Sequence, residues 1–182
     1  MKHFVFIFII SLLFAFCKTS YIKSGKKEID LLIAELGEIN VVLDNVDTVE
    51  IKLKYDEYMK TISILKESKF NEADKDVEKW KMLTLYGQIK KPLRNLANNI
   101  PKYYEELIFS RIQLENLNHD LVNKEILEDK FKEYLGSERN AIQEFKQNVN
   151  INIEQGNAQL KIYDSIHVSV LKILEEIREK NE

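Results

Sequence analysis

Residues 131–177 read FKEYLGSERNAIQEFKQNVNINIEQGNAQLKIYDSIHVSVLKILEEI, and an apolar side chain returns in them every three or four positions. One heptad frame joins Phe131, Leu135, Ile142, Phe145, Val149, Tyr163, Ile166, Val170, Ile173 and Ile177. A seven-residue repeat of this length predicts a long C-terminal helix of coiled-coil character. Polar residues or glycine occupy four further positions of the frame, namely Glu138, Asn152, Gly156 and Gln159. Such a stripe requires other helices to cover it.

The first part of the chain shows the same helical spacing. A stripe from Ile29 to Leu43 predicts a helix from about Lys27 to about Asn45. The next segment, 49–55, alternates apolar and charged residues as a strand would, yet it also fits a helical stripe. Asp47 followed three residues later by Glu50 offers an N-cap, so we predict a second helix and a break near Asp47.

The middle of the chain contains both prolines. Pro92 falls inside a stripe that runs from Val77 to Leu96, where it predicts a kink. The run Asn98-Asn99-Ile100-Pro101 predicts a stronger break, after which the next helix starts at Pro101 and ends near Asn123.

These elements predict an all-α fold, an elongated antiparallel helical bundle of three long arms that are broken near Asp47 and Pro101. The bundle forms one domain over residues 27–182. Five glycines, two prolines and 31% charged residues agree with amphipathic helices. A homodimer through the C-terminal helix is the alternative way of covering its stripe.

The N-terminus predicts export. Lys2 precedes an apolar run from Phe4 to Phe16 that only Ser11 interrupts. As a helix this run spans ~20 Å, short of the ~30 Å hydrocarbon core of a bilayer, so residues 1–17 are interpreted as an export signal rather than a membrane span. Residues 18–26 are then a polar, basic linker.

Cys17 is the only cysteine and stands where the apolar run ends. The stretch LFAFC, 13–17, resembles the end of a bacterial lipoprotein signal, which implies that Cys17 becomes the lipidated first residue of the mature protein. The competing interpretation is ordinary signal cleavage after Cys17, with Ala15 and Cys17 as the small residues of the site, which releases a soluble secreted chain.

A second resemblance concerns QLENLNHDL, 113–121, and YLGSE, 134–138, which are similar to passages of small α-helical envelope lipoproteins of bacteria. This likeness implies a lipid-anchored place in the cell envelope, periplasmic or surface-exposed, and no particular activity.

No catalytic or metal-binding pattern is present in the sequence. It lacks a glycine-rich phosphate loop, a Cys-x-x-Cys pair, a His-Glu-x-x-His run and a Gly-x-Ser-x-Gly elbow. Glu115 with His119, and Asp164 with His167, each place a carboxylate and an imidazole on one helix face, but each pair is two ligands short of a closed metal site. We therefore predict no enzyme activity, no metal and no cofactor. A formal net charge of −3 argues against nucleic acid as a partner.

The expected function is contact with an envelope protein whose identity the sequence does not give. The aromatic residues predicted for the contact surface are Trp80, Tyr86, Tyr103 and Tyr104. The alternative is an extracytoplasmic chaperone or ligand-holding bundle that opens at the kinked helix and at 152–156.

Overall fold

The computed structural model describes the backbone of residues 2–68 and 76–181, and the side chains of residues 20–68 and 76–179. Within these ranges all regular structure is helical and no strand occurs. The helices are α1 (Lys2–Asp44), α2 (Thr48–Glu67), α3 (Val77–Gln88), α4 (Lys90–Asn123) and α5 (Glu128–Asn181). The all-α fold and the long C-terminal helix are confirmed.

The predicted break near Asp47 is confirmed. Oδ1 of Asp47 accepts a hydrogen bond from the backbone N–H of Glu50 at 2.8 Å and so caps α2. One of the unpaired N–H groups at the start of the helix is thereby satisfied. The ambiguous segment 49–55 is helical because it follows this cap and places Ile51 in the core.

The predicted break at Pro101 is wrong. Pro101 lies inside α4, and the chain is interrupted instead at Ile89, between α3 and α4. Pro92 has no N–H to donate to the carbonyl oxygen of Gln88, and at this point the N–H of Ile89 bonds three residues back, to the carbonyl oxygen of Tyr86, at 3.2 Å. At Pro101 the ring faces solvent, while buried neighbours such as Ile100 keep the helix packed.

α1 begins earlier than the helix predicted from Lys27, so residues 18–26, expected as a linker, lie within it. Gly25 is already buried there: a Cβ atom at this position would stand 2.8 Å from Cδ2 of Leu121 and 2.8 Å from Cζ of Phe131. The predicted signal, 1–17, and Cys17 itself lie outside the residues whose side chains are described.

The chain divides into two compact units. Unit 1 combines Met1–Val42 with Tyr104–Lys146 and contains segments of α1, α4 and α5. Arg139 pairs with Glu28 at 2.5 Å and Lys146 with Glu38 at 2.8 Å, so α1 and α5 run in the same direction. α4 runs antiparallel to α5 across a short connector, 124–127, in which Lys124 has a φ of 60°.

Unit 2 combines Leu43–Tyr103 with Gln147–Glu182. α3 and the start of α4 run antiparallel to α5, since Lys79 pairs with Glu176 and, further along, Asn99 donates a hydrogen bond to Asn152 at 3.3 Å. Two irregular positions of the heptad frame are therefore filled: Asn152 has a polar partner and Gly156 is buried against Leu96. The stripe of α5 is covered by helices of the same chain in each unit.

Candidate contact surface

The four aromatic residues predicted for a contact surface differ in how far they are exposed. Trp80 is 39% exposed, and Tyr103 and Tyr104 are half-buried. Tyr86 is 0% exposed and belongs to the core of unit 2, so its predicted place on a surface is wrong. Tyr86 can be buried because its hydroxyl lies 2.7 Å from Nδ1 of His167, which satisfies the polar end of the ring.

Tyr86 is part of a cluster of packed aromatic rings in unit 2, which we call the ring cluster: Tyr58, Tyr86, Tyr163 and His167. The centroids of Tyr163 and His167 are 4.4 Å apart with an interplanar angle of 21°. Tyr163 donates a hydrogen bond to Oε2 of Glu57 at 2.7 Å, and Tyr58 donates one to the carbonyl oxygen of Gly87 at 3.4 Å. The cluster thus ties α2 and α3 to α5 through both apolar and polar contacts.

Burial changes the acidity of this cluster. It raises the pKa of Tyr58 and of Tyr86 to about 12, because the phenolate would lose its hydration. Burial, followed by the hydrogen bond to Glu57, also raises the pKa of Tyr163. The pKa of Glu57 is lowered, chiefly because the Tyr163 hydroxyl stabilises the carboxylate and further because His167 is near. These hydroxyls therefore stay protonated at neutral pH, as expected of packing residues.

His167 has a different carboxylate neighbour from the one predicted. Asp164, one turn away on α5, pairs with Lys54 at 2.6 Å. Nε2 of His167 is buried and lies 3.4 Å from Oε1 of Glu57, without a hydrogen bond to any described residue. The Glu57–His167 contact joins two helices that are far apart in sequence, and for that reason local spacing gave no sign of it.

His119 also has partners other than the predicted Glu115. Its Nδ1 lies 3.5 Å from Oδ1 of Asp120 and 3.8 Å from Oε2 of Glu125, and Nδ2 of Asn123 is 2.9 Å from its Nε2. One ligand atom from each of His119, Asp120 and Glu125 falls within 4.8 Å of the others. All three side chains are largely exposed to solvent, and the contact of His119 with Glu125 joins the end of α4 to the connector. We assign them that structural role.

A run of large apolar side chains is exposed on the outer face of α4 in unit 1. Ile108, Phe109 and Ile112 are 61%, 55% and 49% exposed, and we call them the α4 outer patch. At 100° per residue they point away from the buried side of the helix, which carries Leu107 and Leu114. The same helical-wheel argument could have found this patch from the sequence.

A second apolar surface lies where the connector meets α1. A cleft of about 190 Å³ is lined there by residues that include Tyr21, Ile22, Leu121, Ile126 and Leu127. Leu127 is 77% exposed, the largest value among the exposed large apolar residues described. We call Tyr21, Ile22, Ile126 and Leu127 the connector end.

Within residues 20–68 and 76–179, whose side chains the structure describes, no helix has a stretch long and apolar enough to cross a membrane. Comparison with protein-family models, with curated proteins and with solved structures finds no match to this chain. The likeness to envelope lipoproteins therefore stays a prediction from sequence.

Proposed function

We propose that this chain is an exported helical protein of a bacterial envelope, tethered to a membrane through lipidated Cys17, that acts without catalysis by binding another protein. The sequence supports export and tethering through the apolar run 4–16 and the lone cysteine that ends it. The α4 outer patch is the observation that carries the binding role.

An outer helix face that meets only water carries mainly polar and charged residues, with apolar side chains scattered singly. The α4 outer patch instead exposes Ile108, Phe109 and Ile112 within little more than one turn, with Glu105 and Arg111 beside them. An apolar centre with charged neighbours is the composition of a protein contact surface.

The patch suits a small, transient contact. Stable complexes bury roughly 1,200–2,000 Å² in total, more than three side chains provide. A tether compensates for this, because confinement to the same membrane raises the effective concentration of the partner. The binding role and the tether therefore support each other.

In-cell photo-crosslinking tests the binding role. A photoreactive residue replaces Phe109 in one variant and Gln143, an exposed residue of α5 in the same unit, in the control. We expect a discrete adduct in the membrane fraction from position 109 alone, and its loss when Ile112→Glu is added. Equal adducts at both positions, none at either, or an adduct of two copies of this chain would overturn the proposal.

The tether is tested by the intact mass of the mature N-terminus in membrane and soluble fractions. A lipid-modified Cys17 in the membrane fraction is the expected result, with Cys17→Ser moving the protein to the soluble fraction. A chain that begins at Lys18 and is found only in the soluble fraction would contradict the tether and favour a free secreted bundle.

The alternative, a ligand-holding bundle, requires apolar surface that opens near 152–156. That region is closed in unit 2, where Gly156 contacts Leu96 and Asn152 is hydrogen-bonded to Asn99. Binding of an apolar dye at several molecules per folded chain would restore the alternative. We expect only weak binding, from the α4 outer patch and the connector end.

A further inference from the structure

The connector end includes Tyr21, which lies only a few residues along the chain from the predicted tether. Tyr21 is four residues after Cys17 and five after Phe16, where the apolar run stops. At 1.5 Å per helical residue these separations are only ~6 and ~8 Å along α1. With the lipid on Cys17 that we proposed above, Tyr21 lies close to the membrane surface.

The connector between α4 and α5 lies next to Tyr21. Its ring packs edge-on against Phe131, with the two centroids 5.5 Å apart and the planes at 89°. Both Tyr21 and Ile22 line the same cleft as Ile126 and Leu127. The turn between α4 and α5 therefore sits at the end of unit 1 where the tether enters, and the tether's length places Leu127 within reach of lipid headgroups.

The chemistry of this end suits a lipid surface. Leu127 supplies an exposed apolar side chain, and the half-buried side chains of Ile126 and Ile22 line the cleft beside it. Lys23, Lys26, Lys27 and Lys124 are exposed nearby and can reach anionic headgroups.

Acidic side chains oppose part of this attraction. Glu125 on the connector and Glu128, the first residue of α5, are both more than half exposed. The attraction of the lysines to an anionic surface is therefore partly cancelled, and burial of the apolar side chains must contribute most of the contact.

We propose that the connector end docks on the membrane to which the chain is tethered, with Leu127 entering the boundary between headgroups and acyl chains. This inference rests on the tether of the proposed function. It adds that unit 1 contacts the lipid surface through the turn between α4 and α5. Phe109 of the α4 outer patch lies ~20 Å along the helix from Asn123, so the patch stays clear of the lipid.

Depth-dependent fluorescence quenching tests the proposal. Trp80→Phe removes the native indole, and Leu127→Trp places a single one at the connector end; Val41→Trp, another exposed site about 20 residues beyond Tyr21 on α1, is the control. The full chain is purified from membranes of expressing bacteria and reconstituted into vesicles whose lipids carry bromine at a defined acyl depth. Circular dichroism establishes that both variants remain helical.

We expect at least twofold quenching and a blue-shifted emission for Leu127→Trp, and neither effect for Val41→Trp. If the protein floats with the vesicles but the Leu127→Trp indole is not quenched, or if both indoles are quenched alike, the docking is wrong while the tether stands. If the protein does not float with vesicles, the tether fails and the docking fails with it. Quenching of Leu127→Trp that is unchanged between neutral and anionic vesicles would agree with apolar burial as the main contribution.

Discussion

Gly156 occupies a position of α5 that only glycine fits. A Cβ atom there would stand 2.2 Å from Cδ2 and 3.1 Å from Cβ of Leu96. Alanine gains about 1 kcal/mol in helix propensity over glycine, whereas forcing atoms into a filled core costs roughly 1–3 kcal/mol, and so close a contact lies at the upper end. We expect Gly156→Ala to lower the free energy of unfolding by about 1–2 kcal/mol, measured by urea denaturation.

Gly136 provides the matched control on the same helix. Nothing lies within 4 Å of a Cβ atom at Gly136, so the propensity gain of up to about 1 kcal/mol is unopposed. The two substitutions are therefore expected to change stability in opposite directions. Stabilisation by both would mean that Leu96 does not approach Gly156 as described.

The hydrogen bond from Tyr163 to Glu57 gives stability a defined pH dependence. The pKa of Glu57 is lowered from an ordinary value of 4.5, so in the acidic range the folded state binds fewer protons than the unfolded state. The stability that this hydrogen bond contributes is fully present above pH 4.5, the ordinary pKa of Glu57, and is lost as pH falls through the lower pKa of the folded state. We expect Tyr163→Phe to cost about 1 kcal/mol at pH 7, a modest value because Glu57 is 60% exposed, and clearly less at pH 3.

Tyr58→Phe is the control for that pH dependence. The Tyr58 hydroxyl donates to a backbone carbonyl oxygen, that of Gly87, and its own pKa of about 12 is far above the range tested. Removal of this hydroxyl should therefore lower the free energy of unfolding by the same amount at pH 3 and pH 7. A cost of Tyr163→Phe that does not change with pH would show that Glu57 does not accept this hydrogen bond as a carboxylate.

At the scale of helices, the sequence predicts what local rules govern. Asp47 reveals the start of α2 because an N-cap acts within three residues, and α5 is evident because its repeat continues over many turns. The burial of Tyr86 and the Glu57–His167 contact depend on which helices meet, and no local pattern encodes that. The α4 outer patch lies between these cases, since a helical wheel of the sequence separates it from the buried side.

The positions of the two prolines in α4 explain why the chain breaks at Ile89 and not at Pro101. Each lacks an N–H, but Pro92 is the third residue of α4, where the N–H would have no partner within that helix, while Pro101 lies in its interior. We expect Pro101→Ala to raise the free energy of unfolding by about 1–3 kcal/mol, because its exposed ring leaves no cavity.

Pro92→Ala is the comparison for this effect. Because Pro92 is in the first turn of α4, its replacement should change stability by less than about 1 kcal/mol in urea denaturation. If the Pro101→Ala variant is no more stable than the Pro92→Ala variant, Pro101 does not destabilise α4. Other contacts then compensate for its missing hydrogen bond.

At the scale of the whole molecule, the burial of the α5 stripe bears on oligomeric state. Homodimerisation through the C-terminal helix was predicted as a way to cover this stripe, but Phe131, Ile142 and Val149 are among its residues that are buried by helices of the same chain. The other exposed large apolar residues, such as Leu31, Val49 and Val168, are spread over several helices, and the three side chains of the α4 outer patch cannot supply the roughly 1,200 Å² of a stable dimer.

We therefore expect the chain beginning at Lys18 to be a monomer in sedimentation equilibrium at micromolar concentration. A dimer that Phe109→Glu converts to monomer would assign the α4 outer patch to a second copy of this chain and would contradict an envelope partner at that surface. A dimer that persists in Phe109→Glu but is lost when Leu171, an exposed residue of α5, becomes Glu would restore the C-terminal helix as the interface. A monomer leaves the patch accessible, as binding to a different protein in the same membrane requires.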